Sequence, residues 1–214
     1  MTDDAVGPPD MQRSHDPRDY VRSVELLRRE KDHFLRDEPS SPIREEARSA
    51  FRGLAYFPVD PGYRVRVQLT KYARPEPIVL ATSKGIPRHM VKYGFFEFEI
   101  AGVRQRLDAY APTQAPGHDH GPASLFVPFR DATSGTDSYG AARYLDIPED
   151  PSGDHVLDFN LAYNPYCAYS DDYVCPFPPR ENWLDVRIEA GERDFPLADL
   201  KEKLPAEGKL GHRH

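Results

Sequence analysis

The sequence predicts a mainly β protein, an antiparallel barrel or sandwich of seven to nine strands with N-terminal helices packed on it. Three observations point that way. From residue 56 onward apolar residues recur at every second position, the period of a half-buried strand. The apolar runs are short, are separated by turn residues and have no alternating helices between them. The 214 residues include 22 prolines and 14 glycines, which interrupt helices too often for a long helical bundle. A 39% hydrophobic composition suffices for one core, so a single β-domain is expected over residues 54–194. A helical extension, 17–53, precedes it, after an aperiodic lead, 1–16, expected to be disordered. A tail, 195–214, follows.

The elements follow in chain order. Tyr20, Val24, Leu27, Lys31, Phe34 and Leu35 lie three and four residues apart, which makes one face of an amphipathic helix. Asp16 stands where an N-cap is needed, and Pro17 takes the first helical position, where its missing N–H costs nothing. The helix stops at EPSSP. A shorter one, through Ile43, Ala47, Ala50 and Phe51, closes at Gly53. Val65, Val67 and Leu69 alternate with Arg64, Arg66 and Gln68 as a first strand; Pro75 and Pro77 mark a turn before a second, Ile78 to Leu80. Phe95 to Ile100 and Val103 to Tyr110 flank Ala101-Gly102 as a tight hairpin. Ser124 to Phe129, Arg143 to Ile147, His155 to Leu161 and Leu184 to Ile188 complete the set, and such a sheet must curl or double to bury its apolar face.

Composition excludes several functions. The net charge of −7 argues against broad binding to nucleic acid or to an anionic membrane. No apolar run reaches the length of a membrane span, and the first 16 residues are acidic and carry prolines, unlike a secretory leader. A cytoplasmic location is expected. There Cys167 and Cys175 are two packed thiols, a disulfide, or half of a metal set. No phosphate loop, dinucleotide glycine fingerprint, serine elbow or metalloprotease histidine pair occurs, so no cofactor and no bound metal is expected.

Two stretches concentrate chemistry-bearing residues. VPFRDATSGTDSYGAARY, residues 127–144, follows an apolar strand and sets Arg130, Asp131, Ser134, Tyr139 and Arg143 on a glycine-punctuated loop. An arginine there can grip an anion through two donors, and Asp131 can serve as acid or base if burial tunes it. Adjacent Arg and Asp equally well stabilise a turn. DFNLAYNPYCAYSDDYVCPFPPRENW, residues 158–183, places Asp158 and Asn160 two apart, on one face of a strand, where each needs a partner. Its tyrosines form either a plug closing one end of the barrel or the wall of a pocket.

These two stretches, with RREKDHFLRDEPSSPI, GLAYFPVDPGYRV and YGFFEFEIAG upstream, resemble the signature of domain of unknown function 1684 from about Val24 to Glu192. The resemblance implies a shared fold and a polar site around Arg130, Asp131, Ser134, Tyr139, Arg143, Asp158, Asn160, Asn164 and Asn182. The segment APGHDHGPA, residues 115–123, is not a hallmark of that family.

Three functional readings follow. The first is a pocket for a small polar or anionic molecule at one end of the barrel, with Arg130, Ser134, Tyr139, Arg143, Asn160, Asn164 and Asn182 as ligand-binding residues; in an enzyme, Asp131 or Asp158 would be the acid or base. The second is an interaction module presenting the aromatic loop, with Tyr166, Tyr169, Phe177 or Trp183 exposed to a protein partner. The third is a zinc-dependent hydrolase, which needs Cys167, Cys175 and a histidine to converge from positions wider than a zinc knuckle allows.

Overall fold

The computed structural model describes residues 16–113 and 124–195. The expected lead up to residue 15, the segment holding His118 and His120, and the tail beyond Phe195 lie outside the described residues. Helix α1 spans Pro17–Asp37 and α2 spans Glu45–Arg48. Six strands follow: β1 Arg64–Leu80, β2 Arg88–Ile100, β3 Val103–Pro112, β4 Ser124–Phe129, β5 Arg143–Pro148 and β6 Asp154–Asp158. All pairings are antiparallel in the order β5-β4-β3-β2-β1-β6, and β5 and β6 approach each other, so the sheet is a nearly closed barrel. The strand count is therefore six, not seven to nine.

Local signals set the parts that match expectation. The Asp16 carboxylate accepts from the Arg18 N–H at 2.8 Å, capping α1 as its side-chain chemistry requires. Tyr20, Val24 and Leu35 are the buried residues of its inner face. At Ala101-Gly102 both residues have positive φ, 53° and 76°, the backbone of the two-residue turn that best matches strand twist. Phe96, Phe98, Ile100, Leu107, Leu125, Val127, Phe129 and Leu157 fill the barrel.

Four expected elements are corrected. Pro75 and Pro77 make no turn: β1 runs through them, with its register against β2 shifting between Lys71 and Glu76. β6 pairs β1 only from Arg64 to Gln68, so the prolines fall where one edge of β1 has no ladder, the position where a missing N–H is tolerated. Leu184 to Ile188 is not a strand, and only an isolated bridge between Trp183 and Arg130 precedes it. β6 ends at Asp158; Phe159–Leu161 form a single 3₁₀ turn, so Asp158 and Asn160 do not share a strand face. The second helix is one turn long, its other expected members lying in the bend before it and the turn after it.

The irregularities in β1 and β2 have a structural consequence. Between Lys92 and Gly94 the β2–β3 register shifts by one residue, and a one-residue shift turns every later side chain to the other face. Phe96 and Phe98 thus point into the barrel. Met90, Leu80 and Tyr110 instead form a separate buried cluster, with Ile78 and Phe126 against it, on the outside of the wall. Gly94 permits the close approach of β1 at this irregularity, because a Cβ there would lie 2.7 Å from the Thr70 carbonyl. A third cluster, Leu35, Ile43, Ala47, Phe51, Ala168, Tyr169 and Phe195, seats the helical extension.

Candidate functional site: a tyrosine-lined cleft outside the barrel

The polar residues expected to converge fall into separate networks that pair most of their polar atoms, leaving Arg143 Nε and Asn164 Oδ1 buried without a hydrogen-bond partner among the described residues. Arg143 is fully buried; its guanidinium donates to Asp131 Oδ1 at 3.1 Å and to the carbonyls of Ile188, Ala190 and Glu192 at 2.8, 2.5 and 3.2 Å. Burial holds that guanidinium below its usual range, outweighing the raising effect of the Asp131 carboxylate. Both Asp131 oxygens are taken, by Arg143, by Thr133, and by the Ile188 N–H at 2.7 Å. The Ser134 hydroxyl accepts from the Asp131 N–H at 3.1 Å, closing the turn. Arg130 lies over the Trp183 ring at 4.4 Å, and Tyr139 reaches Cys167.

Asp158 and Asn160 do meet, through the Asn160 N–H at 3.1 Å and the Tyr20 hydroxyl, which donates to Asp158 at 2.8 Å and accepts from the Asn160 amide at 2.9 Å. Burial raises the Asp158 carboxyl above its ordinary range, against the lowering effect of those hydrogen bonds and of Arg64. Asn164 ties its own N–H to Glu192 and its amide to the Arg193 carbonyl. Asn182 accepts from the Asp108 N–H and donates to the Asp108 and Pro128 carbonyls, joining the ends of β3 and β4. Asn160 borders a small hollow of about 160 Å³ with Arg28, Tyr56 and Glu192, and no residue of the Arg130 loop lines it; the buried polar groups found partners in the backbone and in one another, because each costs free energy unless paired.

A cavity is present elsewhere. A cleft of about 900 Å³ lies between α1 and the outer wall of the barrel, and none of the nine residues lines it. Its floor is Phe126 on β4 with Tyr144 and Asp146 on β5. One wall is α1, through Leu27, Lys31 and Phe34; the other is the aromatic loop, through Tyr163, Tyr166 and Tyr173. The loop is fastened to the β1–β2 hairpin, since Ser83 N–H donates to Cys175 O at 3.0 Å and Phe177 N–H to Ala81 O at 2.7 Å. The Tyr144 hydroxyl donates to Pro176 O at 2.6 Å. Tyr144 packs edge-on against Phe126 and Tyr163, at centroid distances of 4.8 and 5.7 Å.

Charge sits at defined points around those rings. The Lys31 ammonium pairs with buried Glu192 and lies 5.1 Å from the Tyr163 ring centroid. Glu192 also accepts from the Tyr169 hydroxyl and the Asn164 N–H. Burial, then Asp146, raises the Tyr163 hydroxyl pKa, so it stays a neutral donor, here to Asp146. Arg88 is exposed at the rim and shows no ion pair among the described residues.

Lys31 and Glu192 were missed as site residues. Lys31 stands inside the otherwise apolar helical stripe, and that misplaced charge was the available signal. Among the described residues no three His, Cys, Asp or Glu side chains gather to hold a metal, and His155 is buried against Phe96 with Nδ1 at the Pro148 carbonyl. No helix among them is long and apolar enough to cross a membrane.

Residues 49–193 match the family model described as Protein of unknown function (DUF1684). The solution NMR structure of an uncharacterized protein of Haloarcula marismortui is similar at 38% identity and a TM-score of 0.63, covering 82% of this chain and 95% of that one. No curated protein matches.

Proposed function

Since this chain belongs to the DUF1684 family of proteins of unknown function, its own geometry must carry the reading, and we propose that it binds a small organic anion in the tyrosine-lined cleft. The observation that supports this is the cleft itself. Its volume of about 900 Å³ is that of a small-molecule site, and its lining combines aromatic rings with a few polar groups at fixed points. Rings of Phe126, Tyr144 and Tyr163 favour a flat apolar body, while Arg88, a guanidinium with no ion pair among the described residues, favours a negative group at the rim. Free Cys167 and Cys175 fit a reducing compartment, in keeping with a cytoplasmic protein.

The test is thermal stability of the full chain against small aromatic and aliphatic carboxylates, because a ligand that binds only the folded form raises the melting temperature. Arg88→Ala and Tyr166→Ala change exposed residues and leave the core alone, so they should lose the ligand-induced rise while keeping the unliganded melt. A second reading draws on Tyr166, Phe177 and Trp183, which are 41%, 38% and 39% exposed and sit on one loop: a protein partner covers them. Melting shifts that grow with carboxylate concentration and do not depend on protein concentration support the first reading over the second.

A further inference from the structure

The aromatic loop brings two thiols together beside the cleft. Cys167 sits in the 3₁₀ turn Tyr166–Ala168, and its N–H donates to Cys175 Sγ at 3.3 Å. The neighbouring thiols act on each other, which holds Cys175 below the ordinary thiol range and Cys167 well above it. The Tyr139 hydroxyl lies 3.7 Å from Cys167 Sγ on the far side. Backbone contacts fix Cys175 from its other flank, since its N–H donates to Ser83 Oγ at 3.2 Å and its carbonyl accepts from Ser83 N–H. Both are free; Cys175 is 6% exposed and borders the cleft, and Cys167 beside it is half-buried. A structural hydrophobe would not need a second sulfur within hydrogen-bond reach.

We propose that Cys167 and Cys175 are a dithiol–disulfide couple, oxidised by a low-molecular-weight disulfide that enters through the cleft, with Cys175 as the attacking sulfur. The Cys175 thiolate attacks one sulfur of glutathione disulfide, forming a mixed disulfide and expelling one glutathione thiolate. Cys167 gives up its proton, which passes through solvent to a departing glutathione thiolate, and attacks Cys175 Sγ, closing the intramolecular bond and expelling the second glutathione. Two electrons pass to the oxidant, and the two protons from the protein thiols leave with the two glutathiones. The bond joins the two ends of the segment 168–174, so the wall that carries Tyr166 and Tyr173 is stiffer in the oxidised form. This site is independent of the ligand reading, because its readout is the state of the sulfurs.

The experiment incubates the full chain with glutathione disulfide, quenches with acid, alkylates free thiols and maps peptides by mass spectrometry. The expected result is loss of both thiols together as an intramolecular disulfide, with an early glutathione adduct on Cys175. Cys167→Ser should hold one stable adduct on Cys175, and Cys175→Ser should react at least tenfold more slowly through Cys167. Stable adducts on both cysteines of the unaltered chain, a disulfide only between two chains, or an early adduct on Cys167 would each overturn the proposal. The early-adduct measurement uses the unaltered chain, so it stands even where a variant fails to fold.

Discussion

Arg143 and Asp131 face each other inside the protein with neither side chain reaching solvent, Nη2 3.1 Å from Oδ1. The pair does the work of a missing strand. Segment 184–192 has no ladder; the Arg143 guanidinium takes the carbonyls of Ile188, Ala190 and Glu192, and Asp131 takes the Ile188 N–H. The apolar alternation that predicted a strand there is real, since Leu184, Ile188 and Ala190 pack into the barrel core, but its hydrogen bonds are divided between scattered backbone partners, such as Arg130 O for the Leu184 N–H, and the Arg143 and Asp131 side chains.

Breaking this pair should be expensive. Removing one partner leaves the other charge buried alone, at a cost of about 3–5 kcal/mol. Asp131→Ala and Arg143→Met are each expected to lower the stability measured by urea unfolding by about that much.

Asn182 should be a structural residue of the same kind. Its amide satisfies the Asp108 N–H, the Asp108 carbonyl and the Pro128 carbonyl in a buried position. Asn182→Ala strands those groups and is expected to cost about 1–3 kcal/mol in urea unfolding, with no change in ligand response.

Asp158 carries a pH signature. Its carboxyl pKa is raised in the fold, mainly by burial, so its favourable contribution is complete below the unfolded value, about 3.9, and is lost as pH rises through the folded value. Asp158→Asn has no such loss. The stability of the variant relative to the unaltered chain should therefore increase from pH 3 toward neutrality in a series of urea titrations, and a flat difference would show that Asp158 does not titrate differently on folding.

At the β2–β3 turn, Ala101 is held at φ 53°, a region that strains a side chain bearing a Cβ. Ala101→Asn, which makes the favoured Asn-Gly pair, should stabilise the protein by about 0.5–1 kcal/mol, read as a higher denaturation midpoint.

What was legible in the sequence was local. The Asp16 cap, Pro17 and the α1 stripe depend on neighbours within four residues, as does the Ala101-Gly102 turn. The continuity of β1 was hidden because a proline reads as a break unless the strand edge is known to be unpaired. The polar residues of the two signature stretches were correctly expected to need partners; that the partners would be backbone groups depends on the path of segment 184–192, which no spacing encodes. The cleft was hidden for a related reason. Lys31, Tyr144 and Tyr163 come from a helix, a strand and a loop, and the one-residue register shift near Gly94 decides that Met90 helps to build its outer side.

The most direct test of the cleft is fluorine NMR of the chain labelled with fluorotyrosine, titrated with the carboxylates that raise its melting temperature. Signals of Tyr144, Tyr163, Tyr166 and Tyr173 should shift saturably together, while those of Tyr20, beside Asp158, and Tyr139, beside Cys167, stay in place. Saturable shifts at Tyr20 or Tyr139 with none at Tyr163 would contradict the account and return the ligand to the polar networks.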